Sequence, residues 1–253
     1  MISPDQPASP LRAYEVVLAW VESRILAGEL RVGDQLPPER ELARLLEVSR
    51  SAVREAVRTL AAQGVLRSSV GAGGAGGTTV TAVPADALVR FLRLHVALAN
   101  FPIDDVIEAR ISLERLSARL ATLHARASDL AAMREALTAM DRASDDKARY
   151  NDADTAFHVA IAGAAGNRLV ADMTVAIRES MRLPLLDAFR YVGDWADLVA
   201  GLREQHHAIY AAIQAGDADR AEDVVEQHIR SAWNTLAPTY DVLRAHSRTE
   251  DMK

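Results

Sequence analysis

The chain contains no cysteine among its 253 residues. Disulfide frameworks, thiolate-bound zinc and iron–sulfur clusters are thereby excluded, and the composition fits a reducing, cytoplasmic setting. Aromatic residues make up only 5% of the chain, which together with abundant Ala and Leu favours helices over sheets. No uninterrupted apolar run approaches the roughly 20 residues that a membrane span needs. Met1 to Pro10 has neither the early basic run nor the apolar core of a secretory signal, so no membrane partner is expected. Positive charge is also short. The net charge is −6, and residues 1–83 balance nine arginines against nine carboxylates. Bulk charge therefore gives no support to nucleic-acid binding, which would have to rest on where individual arginines sit.

What is present is helical periodicity with clear punctuation. Residues 1–10, with three prolines, read as a disordered leader. Helices are expected at about 11–27, 39–46 and 50–63, with Ser49 as an N-cap and Gly28 and Gly64 as stops. Two β-like pieces, Val65–Val70 and Thr78–Val83, flank the run GAGGAGG and read as a hairpin with a long tip. Pro84 marks the expected boundary between a first domain, 11–83, and an all-α bundle over 84–245, with 246–253 as a tail. Helices are expected there at about 85–99, 104–126, 129–142, 147–164, 167–190, 195–215 and 218–245. Pro184 is expected to kink or split the fifth of these.

Two short helices joined tightly, a basic second helix and a following hairpin describe a winged helix-turn-helix. Arg50, Arg54 and Arg58 recur at i, i+4 and i+8 along one face of the third helix, while Val53, Val57 and Leu60 fall on the other. Arg50, Ser51 and Arg54 occupy the first turns, the part of a recognition helix that meets base edges, and an arginine fork can grip guanine or clamp a phosphate. The alternative for an isolated arginine triplet is a solvated face paired with Glu47 and Glu55. The stretch LPPERELARLLEVSRSAVREAVRTLAAQGVL resembles the signature of the GntR family of bacterial regulators over about residues 11–83. That resemblance implies DNA contacts from Arg40, Arg50, Ser51 and Arg54, and a wing tip near Gly71 in the minor groove. The wing is longer and richer in glycine than the family's usual form.

Gly71, Gly73 and Gly76 also spell G-x-G-x-x-G. That fingerprint has meaning only where it opens a helix whose N-terminus receives a pyrophosphate, and the TTVTAV that follows is strand-like. A dinucleotide site is rejected on that ground.

In the second domain Asp154 and His158 stand at i, i+4 and can face one ion. His206 lies ten residues before Gly216 and His228 twelve after it. If Gly216-Asp217 turns an antiparallel helix pair, these distances are about 15 and 18 Å and bring both imidazoles to one level. An Asp and three His inside a bundle suit a divalent metal, zinc in the first place, with nickel or manganese as alternatives. Taken singly, each residue also has an ordinary structural explanation.

Residues 85–240 resemble the FCD effector domain of the FadR subfamily, in the pieces IEARISLE, DADTAFHVAIAGAAGN and QHHAIYAAIQAGDADRAEDVVEQHI. The resemblance implies that Asp154, His158, His206 and His228 are the ligands of a metal-dependent member. Members show Glu-His where this chain has Gln205-His206. It further implies a small carboxylate effector, with Arg110 and Asn167 at the pocket wall. The other reading of Arg110 is an internal ion pair with Glu114 or Glu108. The whole then reads as a homodimeric repressor that binds palindromic half-sites on double-stranded DNA, with no enzymatic activity. Two further readings stay open: a metal-dependent hydrolase with Glu204 as its base, and a regulator whose signal is the metal itself.

Overall fold

The computed structural model describes residues 12–69, 77–81, 85–98 and 101–250, and divides into two compact units between Ala87 and Leu88. The expected leader, the glycine-rich tip with Gly71 and the boundary at Pro84 lie outside the described residues. Among the described residues there are ten helices and one two-stranded sheet.

The first unit contains α1 (Ala13–Leu26), α2 (Glu39–Leu45) and α3 (Arg50–Ala62), followed by β1 (Leu66–Ser69) and β2 (Gly77–Val80). The strands pair antiparallel, with Leu66 opposite Val80, and a single bridge from Gln35 to Thr79 adds a third short edge. Apolar residues from every element meet in one core: Val17 and Val21 of α1, Leu42 of α2, Val53, Val57 and Leu60 of α3, and Leu66 and Val80 of the hairpin. Each fully buried aliphatic side chain of this kind contributes roughly 1.5–3 kcal/mol. Ser49 caps α3, its hydroxyl accepting from the Ala52 amide at 3.2 Å. Gly64 takes a positive φ of 78° just past the helix, as a C-terminal stop requires. This is a winged helix-turn-helix, and β2 begins at Gly77 where a nucleotide-binding loop would need a helix.

The second unit is all helical: α4 (Ala85–Ala97), whose first turn contains the division between the units, then α5 (Ile103–His124), α6 (Ala127–Arg142), α7 (Lys147–Ala164), α8 (Arg168–Arg190), α9 (Trp195–Ala215) and α10 (Ala218–Glu250). Neighbouring pairs are α6 with α7, α7 with α8, α9 with α10, and α5 with α10. Asp146, Asn167 and Asp194 each accept backbone N–H bonds at the starts of α7, α8 and α9. Gly216, with φ 74°, ends α9, and Asp217 accepts from the Arg220 amide at 3.0 Å to start α10. The α9–α10 hairpin thus turns where glycine and aspartate make it turn.

Two expectations need correction. Of the kink or split expected at Pro184, the split does not occur, because α8 runs from Arg168 to Arg190 through it. The proline removes one backbone donor, but Ile177, Met181, Leu185 and Phe189 bury one face of the helix on both sides of it. The fully buried Asn151 of α7 donates its amide to the Arg182 carbonyl at 3.0 Å, which ties α7 to α8. The segment expected as a tail is helical in part, because α10 continues to Glu250.

Candidate metal centre and nucleic-acid interface

The local pattern of α3 decides which face looks outward. Ala52, Val53, Ala56, Val57 and Leu60 are buried, which leaves Arg50, Ser51, Arg54 and Arg58 exposed on the opposite side. Ser51 sits against the cap, its hydroxyl 2.8 Å from that of Ser49. Arg40 is exposed in the first turn of α2. Among the described residues Arg54 has one weak partner, Glu39, at 3.9 Å across a solvated gap. A pair of that kind is worth about 0–1 kcal/mol, so the guanidinium is cheap to redirect.

In the second unit the structure brings together four residues that lie far apart in sequence. Asp154 and His158 come from α7, His206 from α9 and His228 from α10; all are buried, and one potential ligand atom from each lies within 4.8 Å of the others. His206 Nε2 is 2.9 Å from Asp154 Oδ1 and 3.4 Å from His158 Nε2. Two nitrogens bound to a tetrahedral ion at about 2.1 Å stand roughly 3.4 Å apart, so this pair has the right separation. Phe157 presents its edge to both His158 and His206, with ring centroids 5.4 Å from each.

Sequence reasoning did not see what surrounds this cluster. Glu114 of α5 accepts from Arg110 Nε at 2.6 Å, approaches Arg178 Nη1 at 3.4 Å and contacts Nδ1 of His158. Arg178 of α8 holds Asp154 through Nη2, while its buried Nε has no hydrogen-bond partner. Glu114 was visible only as the fourth residue after Arg110. Arg178 shares the buried stripe of Thr174, Met181 and Leu185, which is the one signal that could have found it.

Arg110 therefore sits in the ion pair with Glu114, one of its two expected settings, while Glu108 pairs with Arg230 instead. Asn167, the other residue expected at a pocket wall, is the N-cap of α8. It is exposed and spends its side-chain oxygen on the Val170 amide.

The electrostatics follow from burial and pairing. Desolvation would raise Asp154, but the hydrogen bond from His206 and the charges of His158, His206 and Arg110 outweigh it and hold the carboxyl below its ordinary range. Glu114 is likewise lowered, with burial opposed by His158 and Arg110. Burial pushes His206 down, partly offset by Asp154, and pushes His228 down further, aided by His206, His158 and Arg110. Three imidazoles and one carboxylate are the donor set that suits a divalent cation, whose binding displaces any proton they carry.

A winged helix-turn-helix followed by an all-helical unit is the architecture of a DNA-binding transcription regulator. The family description "Bacterial regulatory proteins, gntR family" matches residues 13–75 and "FCD domain" matches residues 105–231. The chain belongs to the GntR family and carries an FCD domain. It is 31% identical to the Uxu operon transcriptional regulator of Escherichia coli, over 90% of this chain and 88% of that protein. It is 29% identical to the HTH-type transcriptional regulator LutR of Bacillus subtilis, over 85% and 96% respectively. The transcriptional repressor NanR of Edwardsiella tarda is also 29% identical, over 92% and 89%. The solved structure of Streptococcus agalactiae GntR superposes with a TM-score of 0.54 at 26% identity, covering 87% of this chain and 98% of that one. No helix among the described residues is long and apolar enough to cross a membrane.

Proposed function

We propose that this regulator is a homodimeric repressor whose operator affinity is set by a small carboxylate bound at a divalent metal in the second unit. The observation that carries the reading is the buried convergence of Asp154, His158, His206 and His228 in a chain that also presents an arginine-rich recognition helix. These four residues would hold the ion, zinc in the first place, which supplies a buried positive centre able to attract an anion. Arg110 and Arg178 are balanced by Glu114 and Asp154, so a divalent ion leaves the site with a surplus of two positive charges. A buried surplus of that size favours an anionic occupant, and a carboxylate supplies it. The unpartnered Nε of Arg178 is an additional donor for it.

On the DNA side, Arg40, Arg50, Ser51 and Arg54 are proposed to contact the operator, one recognition helix of the dimer in each half-site. An effector shifts that affinity only if it binds the DNA-competent and DNA-incompetent states unequally. A hydrolytic use of the centre is not favoured. Glu204 is exposed and lies two positions from His206, which turns it to another face of α9.

The test is a gel-shift titration of metal-loaded and dialysed protein, each with and without a panel of small organic acids. Release of DNA by an acid from the loaded protein alone supports the proposal. Release by metal removal alone, with no acid active, would instead make the metal the signal.

A further inference from the structure

The three imidazoles of the cluster are not backed equally. His158 turns Nδ1 to Glu114, a carboxylate anchored by two arginines. His206 has a buried Nδ1 with no hydrogen-bond partner. His228 donates from Nδ1 to Gln205 Oε1 at 3.1 Å. Gln205 Nε2 in turn donates to Ser231 Oγ at 3.0 Å, and Ser231 Oγ donates to the His228 carbonyl at 3.1 Å. Ser231 Oγ also lies 3.3 Å from Gln205 Oε1, so it reaches both ends of the amide, whose oxygen faces the imidazole. With its proton held on Nδ1, His228 leaves the lone pair of Nε2 for the cluster.

The group behind a ligating histidine sets its tautomer, its orientation and its basicity. A carboxylate polarises the ring and makes the other nitrogen a stronger donor, whereas a neutral amide orients the ring with much less polarisation. Gln205 is half-buried and lines a cavity of about 420 Å³ together with Ser231, Thr235, Asp194 and Tyr191. A charge at this position would therefore meet solvent on one side and not be entombed.

We propose that Gln205 is a positioning residue that presents His228 to the divalent cation and, being an amide, keeps the cation weakly enough bound to exchange. The inference rests on the metal reading above and adds what controls its affinity.

The experiment uses the full-length chain, stripped of metal. Zn²⁺ affinity is measured by competition with a chromophoric chelator, and Co²⁺ is added to record its visible absorption bands. Wild type, Gln205→Glu and Gln205→Leu are compared, together with their metal-free unfolding midpoints. Gln205→Glu should bind Zn²⁺ about 10–100-fold more tightly and shift the Co²⁺ bands, while Gln205→Leu should bind about tenfold or more weakly. A merely structural role would move the unfolding midpoints and leave the bands and the ratio of affinities unchanged. Equal Zn²⁺ affinity of wild type and Gln205→Glu overturns the inference and leaves the metal centre standing. Failure of wild type to bind either ion overturns the metal centre and the inference with it. Should Gln205→Glu not fold, tighter or unchanged binding by Gln205→Leu overturns the inference on its own.

Discussion

Arg54 shows how a single side chain can be ready for a partner it has not met. Its guanidinium is exposed on the recognition helix and, among the described residues, is restrained by the 3.9 Å approach of Glu39 alone. Leaving that pair costs little, and the fork is then free to take two acceptors on a base edge. Arg54→Ala should lower operator affinity by about 1–3 kcal/mol, with little change in the unfolding midpoint of the free protein. A gel-shift titration checks it, and unchanged affinity would remove Arg54 from the interface. The buried arginines are the opposite case. Arg110 and Arg178 are locked among Glu114 and Asp154, and their cost of burial is offset by those carboxylates. One residue type serves both roles because burial decides which partners it can keep.

At the level of elements, the joint between α2 and α3 carries a local strain. Glu47 holds a φ of 54°, the one positive value among the described residues other than glycine. The tight turn requires it, because the Val48 amide reaches back to the Ala43 carbonyl at 3.0 Å. A left-handed backbone costs an L-residue with a Cβ roughly 1–2 kcal/mol. Glu47→Gly should therefore stabilise the first unit by about 1 kcal/mol, read as a higher midpoint in denaturant at unchanged slope. A lower midpoint would show that Glu47 makes a contact worth more than the strain. The α9–α10 hairpin has no such conflict: Gly216 supplies the left-handed residue and Asp217 the next cap, so the turn sets His206 and His228 level without strain.

For the molecule as a whole, the buried site ties folding to pH. His206 and His228 are held below the ordinary imidazole range, mainly by burial. The unfolded chain takes up those protons more readily, so their contribution is complete above about pH 6.5 and is lost progressively as the pH falls below it. Asp154 and Glu114, lowered by their cationic neighbours against the effect of burial, contribute above about pH 4 and lose that contribution as the pH falls through their folded values. Both effects have the same sign. The metal-free protein should unfold at progressively lower temperature as the pH drops from about 7 to about 5, which calorimetry would record. A midpoint that rises on acidification would contradict this assignment.

The order and ends of the helices were largely legible from the chain, because Ser49, Gly64, Asp146, Asp194 and Gly216 act on neighbours a few residues away. The convergence of the Asp and three His was legible for a related reason: helical spacing placed Asp154 beside His158, and nearly equal arms about Gly216 levelled His206 with His228. Pro184 does not split α8, because residues distant in sequence pack against the helix on both sides of it. Glu114 behind His158, Arg178 on Asp154 and Gln205 behind His228 were settled only by tertiary structure. Each of these contacts joins two different helices, and no spacing within one helix records which neighbour packs against it.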